Sequence, residues 1–127
     1  TAMKPHEFAD ALAKSLQNRP LLLKLMSMNH YDMEENSRPE NLLEFKRAYG
    51  QSIAMVSQCL KKFFPKLADS KINQFIYIFF PFMFGIYPYT SVTEKQKSAM
   101  REANIDFLYQ SVYDIIYRCI STLLVPE

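Results

Sequence analysis

From Ile72 to Thr93 the chain carries no charged residue, and its middle is a dense run of Phe, Tyr, Ile and Met. Such a segment must leave water by entering a membrane or a protein interior. The apolar part, Phe75 to Pro88, spans 14 residues. That is short of the roughly 20 that a membrane-spanning helix needs. Pro81 and Pro88 interrupt it as well. The segment therefore reads as a buried or interfacial helix. Asp69 or Ser70 would cap it, Pro81 would kink it by removing the bond to the Tyr77 carbonyl, and Gly85 and Pro88 would end it.

The rest of the chain is patterned for helices. Phe8, Leu12 and Leu16 recur at four-residue spacing, and Asn18-Arg19-Pro20 ends that helix and opens the next. Between Leu21 and Glu35, the residues Leu21, Leu22, Leu25, Met26, Met28 and Met33 make a broad apolar face suited to packing on two sides. Ser37-Arg38-Pro39-Glu40 reads as a capping box. It opens the clearest stripe: Leu42, Phe45, Tyr49, Ile53, Val56, Leu60 and Phe63. Their steps of three and four define one face of one helix, about 38 Å long at 1.5 Å per residue. Pro65 stops it. Gly50 inside it calls for close packing or a kink near a cavity. Thr93-Glu94-Lys95-Gln96 is a second capping box. A last helix is predicted from about Arg101 to Leu124, with Ile105, Leu108, Val112, Ile115 and Cys119 as one stripe and Tyr109, Tyr113, Ile116, Ile120 and Leu123 as a second. Two stripes need two packing surfaces, one of them a partner chain. With only two glycines among 127 residues, hairpins are disfavoured. The expectation is one all-α domain over 1–127, an antiparallel bundle of five to six helices.

Catalytic and metal motifs are missing. The two histidines, His6 and His30, stand far apart with no HExxH. Glu34 and Glu35, or His30 and Asp32, point apart on a helix and read as surface charge. No nucleophile elbow or phosphate-binding loop occurs, so neither an enzyme nor a cofactor is expected. A net charge of +2 is too small for a nucleic-acid footprint. Lys61, Lys62, Lys66 and Lys71, near Pro65, read as a solvated helix end. Cys59 and Cys119 form no CxxC motif or disulfide framework, which suits buried thiols in a reducing, cytoplasmic setting. The start of the chain lacks the apolar stretch of a signal peptide.

There is material for an apolar cavity instead. Met26, Met28, Tyr31 and Met33 come from one helix, Phe45, Tyr49 and Ile53 from the next, and Phe75, Phe79, Phe82 and Met83 from the aromatic one. Thioethers and rings make deformable walls, and tyrosine hydroxyls orient a ligand. On pattern alone such stripes are more often plain core than a pocket. As lining residues Met28, Tyr31, Phe45, Tyr49, Ile53, Phe79 and Met83 are singled out.

The order of these pieces resembles the C-terminal effector-binding and dimerisation region of the tetracycline-repressor (TetR) family of bacterial transcription regulators. The residues that carry the resemblance are His6-Glu7-Phe8-Ala9-Asp10-Ala11-Leu12, Arg19-Pro20-Leu21-Leu22-Leu23-Lys24-Leu25-Met26-Ser27, Leu42-Leu43-Glu44-Phe45-Lys46-Arg47-Ala48, Phe82-Met83-Phe84-Gly85-Ile86-Tyr87-Pro88 and Asn104-Ile105-Asp106-Phe107-Leu108. It implies that Phe8 to Leu16 connects to an N-terminal helix-turn-helix head, which has no counterpart in this chain. It implies a homodimer in which the last two long helices build a four-helix bundle. Phe82, Ile86, Ile105, Leu108, Tyr109, Val112, Tyr113, Ile116 and Ile120 would then face the partner. A small, apolar effector would bind in the body and shift the spacing of the two heads. The alternative is a helical protein–protein interaction module, which predicts a groove open to solvent and no internal cavity.

Overall fold

The computed structural model describes residues 2–36 and 38–125, including all side chains there except those of residues 28–34. Among the described residues there are seven helices and no strand: α1 (Pro5–Gln17), α2 (Pro20–Asn36), α3 (Pro39–Phe63), α4 (Asp69–Gly85), α5 (Tyr87–Thr90), α6 (Glu94–Glu102) and α7 (Val112–Leu123). None of the described helices is long and apolar enough to cross a membrane.

Prolines set several of the boundaries. Pro5, Pro20 and Pro39 stand first in α1, α2 and α3, where a missing N–H costs nothing. At the start of α1 the Lys4 backbone N–H donates to Glu7 Oε1 (3.1 Å). The cap position of α3 is Arg38, with no side-chain bond, and Ser37 of the expected capping box lies outside the described residues. Neither Asp69 nor Ser70 caps α4: Ala68 holds the cap position, and Asp69 sits in the first turn, where a carboxylate opposes the helix dipole. The helix continues through Pro81. Tyr77, whose carbonyl loses its partner there, is 77% exposed, so this turn faces solvent and water can take over the bond.

The core is one cluster centred on α4. Ile72, Phe75, Ile76, Phe79, Phe80 and Met83 are buried from that helix. They meet Phe8, Ala9 and Ala13 of α1, Leu23 of α2, Leu60 of α3, and Ile116 and Ile120 of α7. Burying each large apolar side chain contributes about 1.5–3 kcal/mol. The α3 stripe is as expected: all seven of its residues are buried or half-buried, while Leu43 and Met55, off the stripe, are exposed. α1 packs chiefly on α7. Ala9 and Ala13 are wholly buried in α1, as are Ile116 and Ile120 in α7, and small side chains allow the close approach. The chain start is pinned by Met3 N–H donating to the Phe63 carbonyl (2.9 Å). Phe8 packs edge-on against Phe64, with ring centroids 5.6 Å apart.

Two further expectations fail. The single helix from Arg101 to Leu124 is instead α6, an irregular stretch and α7. Asn104 has φ 58, the left-handed conformation that asparagine tolerates. Around it Asn104 N–H donates to the Arg101 carbonyl and Ile105 N–H to the Met100 carbonyl, which is a Schellman stop. Ser111 then caps α7, its hydroxyl accepting from Asp114 N–H (3.1 Å). Ile105, Leu108 and Tyr109 therefore lie outside any helix. The second failure is α2: Leu21, Leu22 and Leu25 are exposed, and the buried leucine is Leu23, which the apolar set omitted. A Cβ added at Gly50 would meet nothing within 4 Å, so close packing does not explain this glycine.

Candidate functional site

α1, α2, α3 and α4 border a cavity of about 620 Å³ that opens to solvent on one side. That lies in the range of small-molecule sites, roughly 300–1,000 Å³. Leu12 and Leu16 line it from α1, Leu22, Leu25 and Met26 from α2, Phe45, Tyr49, Ser52, Met55 and Val56 from α3, and Phe79, Phe80, Met83 and Phe84 from α4. It forms because α3 and α4 turn aromatic faces toward each other. Tyr49 packs edge-on against Phe80 (5.5 Å between centroids) and tilted against Phe84 (5.8 Å). Phe79 is edge-on to Phe80 (5.8 Å) and stacks on Phe75 (5.2 Å).

Among the described residues the wall carries no charged side chain, and its polar side chains are Tyr49, Gln51 and Ser52. The Ser52 hydroxyl already donates to the Ala48 carbonyl (3.0 Å). Lys46 lies beside the aromatic wall, with Nζ 5.7 Å from the Tyr49 ring centre and 5.9 Å from that of Phe45. Such a cation engages the ring faces that an incoming cation would use. The arrangement suits an uncharged apolar molecule, oriented by the phenol of Tyr49 and the amide of Gln51. The rim is open: Leu22 and Leu25 are nearly half exposed and Met55 is 66% exposed.

Of the residues singled out as lining, Phe45, Tyr49, Phe79 and Met83 come together here. Ile53 does not line the cavity; it packs half-buried against the core. The side chains of Met28 and Tyr31 lie outside the described residues, as do those of Met33 and of the pair His30 and Asp32. Phe75 is core. Sequence reasoning missed Leu12, Leu16 and Phe80, although the first two stood in the α1 stripe. Met26, named as cavity material, does line it, while Leu22 and Leu25 were visible only as an apolar face whose surplus was attributed to a second packing surface.

The residues expected at a dimer contact scatter. Ile86, Ile116 and Ile120 are covered by their own chain. Phe82, Val112 and Tyr113 are half-buried. Ile105, Leu108 and Tyr109 are exposed, on the irregular stretch. On α4 the exposed large apolar residues are Tyr77 and Ile78, which the sequence reading passed over.

Away from the cavity, the Tyr113 hydroxyl at the start of α7 donates to Asp10 Oδ1 of α1. Lys14 Nζ lies 3.1 Å from the other carboxylate oxygen. The Tyr113 bond, then Lys14, hold the Asp10 carboxyl below its ordinary value, and the same bond pushes the Tyr113 phenol up to about 12. Cys59 and Cys119 are free and half-buried. Burial pushes the Cys119 thiol up to about 11, away from thiolate reactivity. Among the described residues no three His, Cys, Asp or Glu side chains gather to hold a metal.

A family model described as "Tetracyclin repressor-like, C-terminal domain" matches residues 1–110. Comparison with curated proteins and with solved structures gives no match.

Proposed function

The chain belongs to the tetracyclin repressor-like C-terminal domain family, and from that premise we propose that it is the effector-binding and dimerisation domain of a bacterial, cytoplasmic transcription regulator. The observation that carries this reading is the cavity between α1 and the aromatic faces of α3 and α4, whose described lining is almost wholly apolar. Leu12 and Leu16 of α1 form part of its wall. In this reading α1 connects to a helix-turn-helix head, so an occupant touches the connector directly. A ligand that prefers one position of α1 shifts the population of head spacings by its difference in affinity for the two states. The effector is a small, uncharged, apolar or aromatic molecule. The partner is a second copy, met through the outward face of α4 at Tyr77 and Ile78 and the half-exposed strip Val112, Ile115 and Cys119 of α7. DNA is reached only through the head, and catalysis has no part in this role.

The test is titration with an environment-sensitive apolar fluorophore such as N-phenyl-1-naphthylamine. Saturable binding is expected, abolished by Ala48→Trp. Ala48 is an exposed cavity-lining residue, so the indole fills the space without touching the core. Absence of saturable binding, or equal binding by Ala48→Trp, would refute the cavity assignment. The open rim at Leu22, Leu25 and Met55 favours a second reading, in which the groove grips an amphipathic helix of a partner protein. That reading predicts binding of an amphipathic helical peptide and none of the fluorophore.

A further inference from the structure

α1 forms one wall of the cavity, through Leu12 and Leu16, and it is the wall least supported by the other three. α2, α3 and α4 pack on one another. α1 packs chiefly on α7, none of whose described residues lines the cavity. Where Leu12 and Leu16 stand is therefore set from behind, by how α1 lies on α7.

The start of α1 is pinned to the end of α3 through Met3 and Phe8. Farther along, Ala9 and Ala13 meet α7 at Ile116 and Ile120, all four wholly buried. Alanine side chains make low ridges, so this seam holds α1 close but resists its roll weakly. The Tyr113 hydroxyl supplies the missing restraint by donating to Asp10 Oδ1. The bond is directional, and the carboxylate charge strengthens it. Its donor is itself held, because the Tyr113 ring stacks on Tyr117 with centroids 5.7 Å apart.

With about 3.6 residues per turn, Asp10 and Leu12 point about 160° apart around α1, and Leu16 lies about 120° from Asp10 on the same side as Leu12. Ala9 and Ala13 fall between them. The hydrogen bond and the cavity wall thus occupy opposite flanks of one helix. A roll of about 20° carries a side chain about 5 Å from the helix axis through roughly 2 Å. That separates the hydroxyl from the carboxylate on one flank and displaces Leu12 out of van der Waals contact with an occupant on the other.

We propose that Asp10 and Tyr113 are positioning residues for the effector cavity, their hydrogen bond fixing the roll of α1 on α7 and so the place of Leu12 and Leu16 in its wall. This rests on the cavity reading above and deepens it. Neither residue lines the cavity; both border a separate hollow with Met3, His6, Glu7 and Tyr117. Their influence on affinity therefore runs through the helix and not through contact with the occupant.

The test is titration of N-phenyl-1-naphthylamine into a set of variants at neutral pH. Tyr113→Phe keeps the ring and its stacking and removes only the hydroxyl. If that leaves α1 correctly rolled in about one molecule in five, the apparent dissociation constant rises about five-fold. Asp10→Ala should match it, and the double variant should be no worse than either single one, because both remove the same bond. Asp10→Asn keeps an acceptor oxygen and should lie nearer the parent. Thr93→Ala weakens α6, away from α1, and should leave affinity unchanged. Parent-like affinity in Tyr113→Phe, additive losses in the double variant, or an equal loss in Thr93→Ala overturns the positioning role and leaves the cavity reading standing. A parent chain that shows no saturable binding overturns both.

Discussion

Replacing Gly50 by Ala isolates backbone energetics from packing. Gly50 lies in the interior of the 25-residue α3, with helical neighbours on both sides and no positive φ. It is exposed, and a new Cβ would find nothing within 4 Å. The substitution therefore creates no clash and fills no void. What remains is the conformational freedom that glycine loses on folding, about 1 kcal/mol relative to Ala in a helix interior. For a chain of this length that raises the melting temperature by about 3–6 °C. Thermal unfolding followed by helical circular dichroism measures it, with protein concentration held fixed because dimerisation shifts the midpoint. Tyr49 and Gln51, on either side, line the cavity, so fluorophore affinity should be unchanged. A melting temperature that falls, or one that rises with loss of binding, would refute the reasoning. It would mean that the glycine serves a bend used in binding.

Tyr113→Phe removes the hydroxyl that joins α7 to Asp10 of α1 and should destabilise the chain in denaturant titrations. The deficit has a defined pH window. Asp10 is depressed below 3.8, so its contribution is present above that value and is lost as pH falls through the folded-state pKa. Tyr113 is raised from 10.0 to about 12, so its contribution is intact below 10.0 and lost as pH rises through about 12. Parent and variant should differ by a constant amount between these limits and converge outside them; a difference that does not shrink as the Asp10 carboxyl protonates, followed by its NMR shift, would show that the bond does not act through the carboxylate. Thr93→Ala breaks the capping box in which Thr93 Oγ1 accepts from Gln96 N–H (3.2 Å) and Gln96 Oε1 from Thr93 N–H (2.9 Å). It should cost α6 about 1 kcal/mol. Hydrogen exchange should quicken within residues 94–102 while protection in α4 stays unchanged, and equal loss in both would show that α6 is part of the core.

Much of the helical layout follows from local rules that a sequence displays directly. Pro20, Pro39 and Pro65 punctuate helices because a proline has no amide to donate. Thr93 and Gln96 cap α6 because two short polar side chains three residues apart reach each other's amides. The α3 stripe is legible because only one face of a helix can turn inward, and its seven residues are the ones that do. The break after α6 was equally local, in Asn104 and in Ser111 with Asp114. It was overlooked because the apolar period runs on across it, and a period says which residues could share a face without saying that the helix continues.

The partition of apolar faces was decided only by tertiary packing. Leu22, Leu23 and Leu25 are chemically alike and adjacent, yet Leu23 is buried and the other two border the cavity. That outcome depends on how α2 is rotated against α4, which no local spacing encodes. The same holds for Phe75 and Phe79, which stack on one another while only Phe79 reaches the cavity wall. Ile116 and Ile120 looked available to a partner chain until α1 covered them, because Ala9 and Ala13 let that helix come close. Sequence alone determined that this chain is helical, where most helices begin and end, and that a face of its aromatic stretch must be buried. The packing angles of α1, α2 and α7 around that stretch decided which of its neighbours became core, cavity or exposed surface, because burial depends on contacts between residues far apart in the chain.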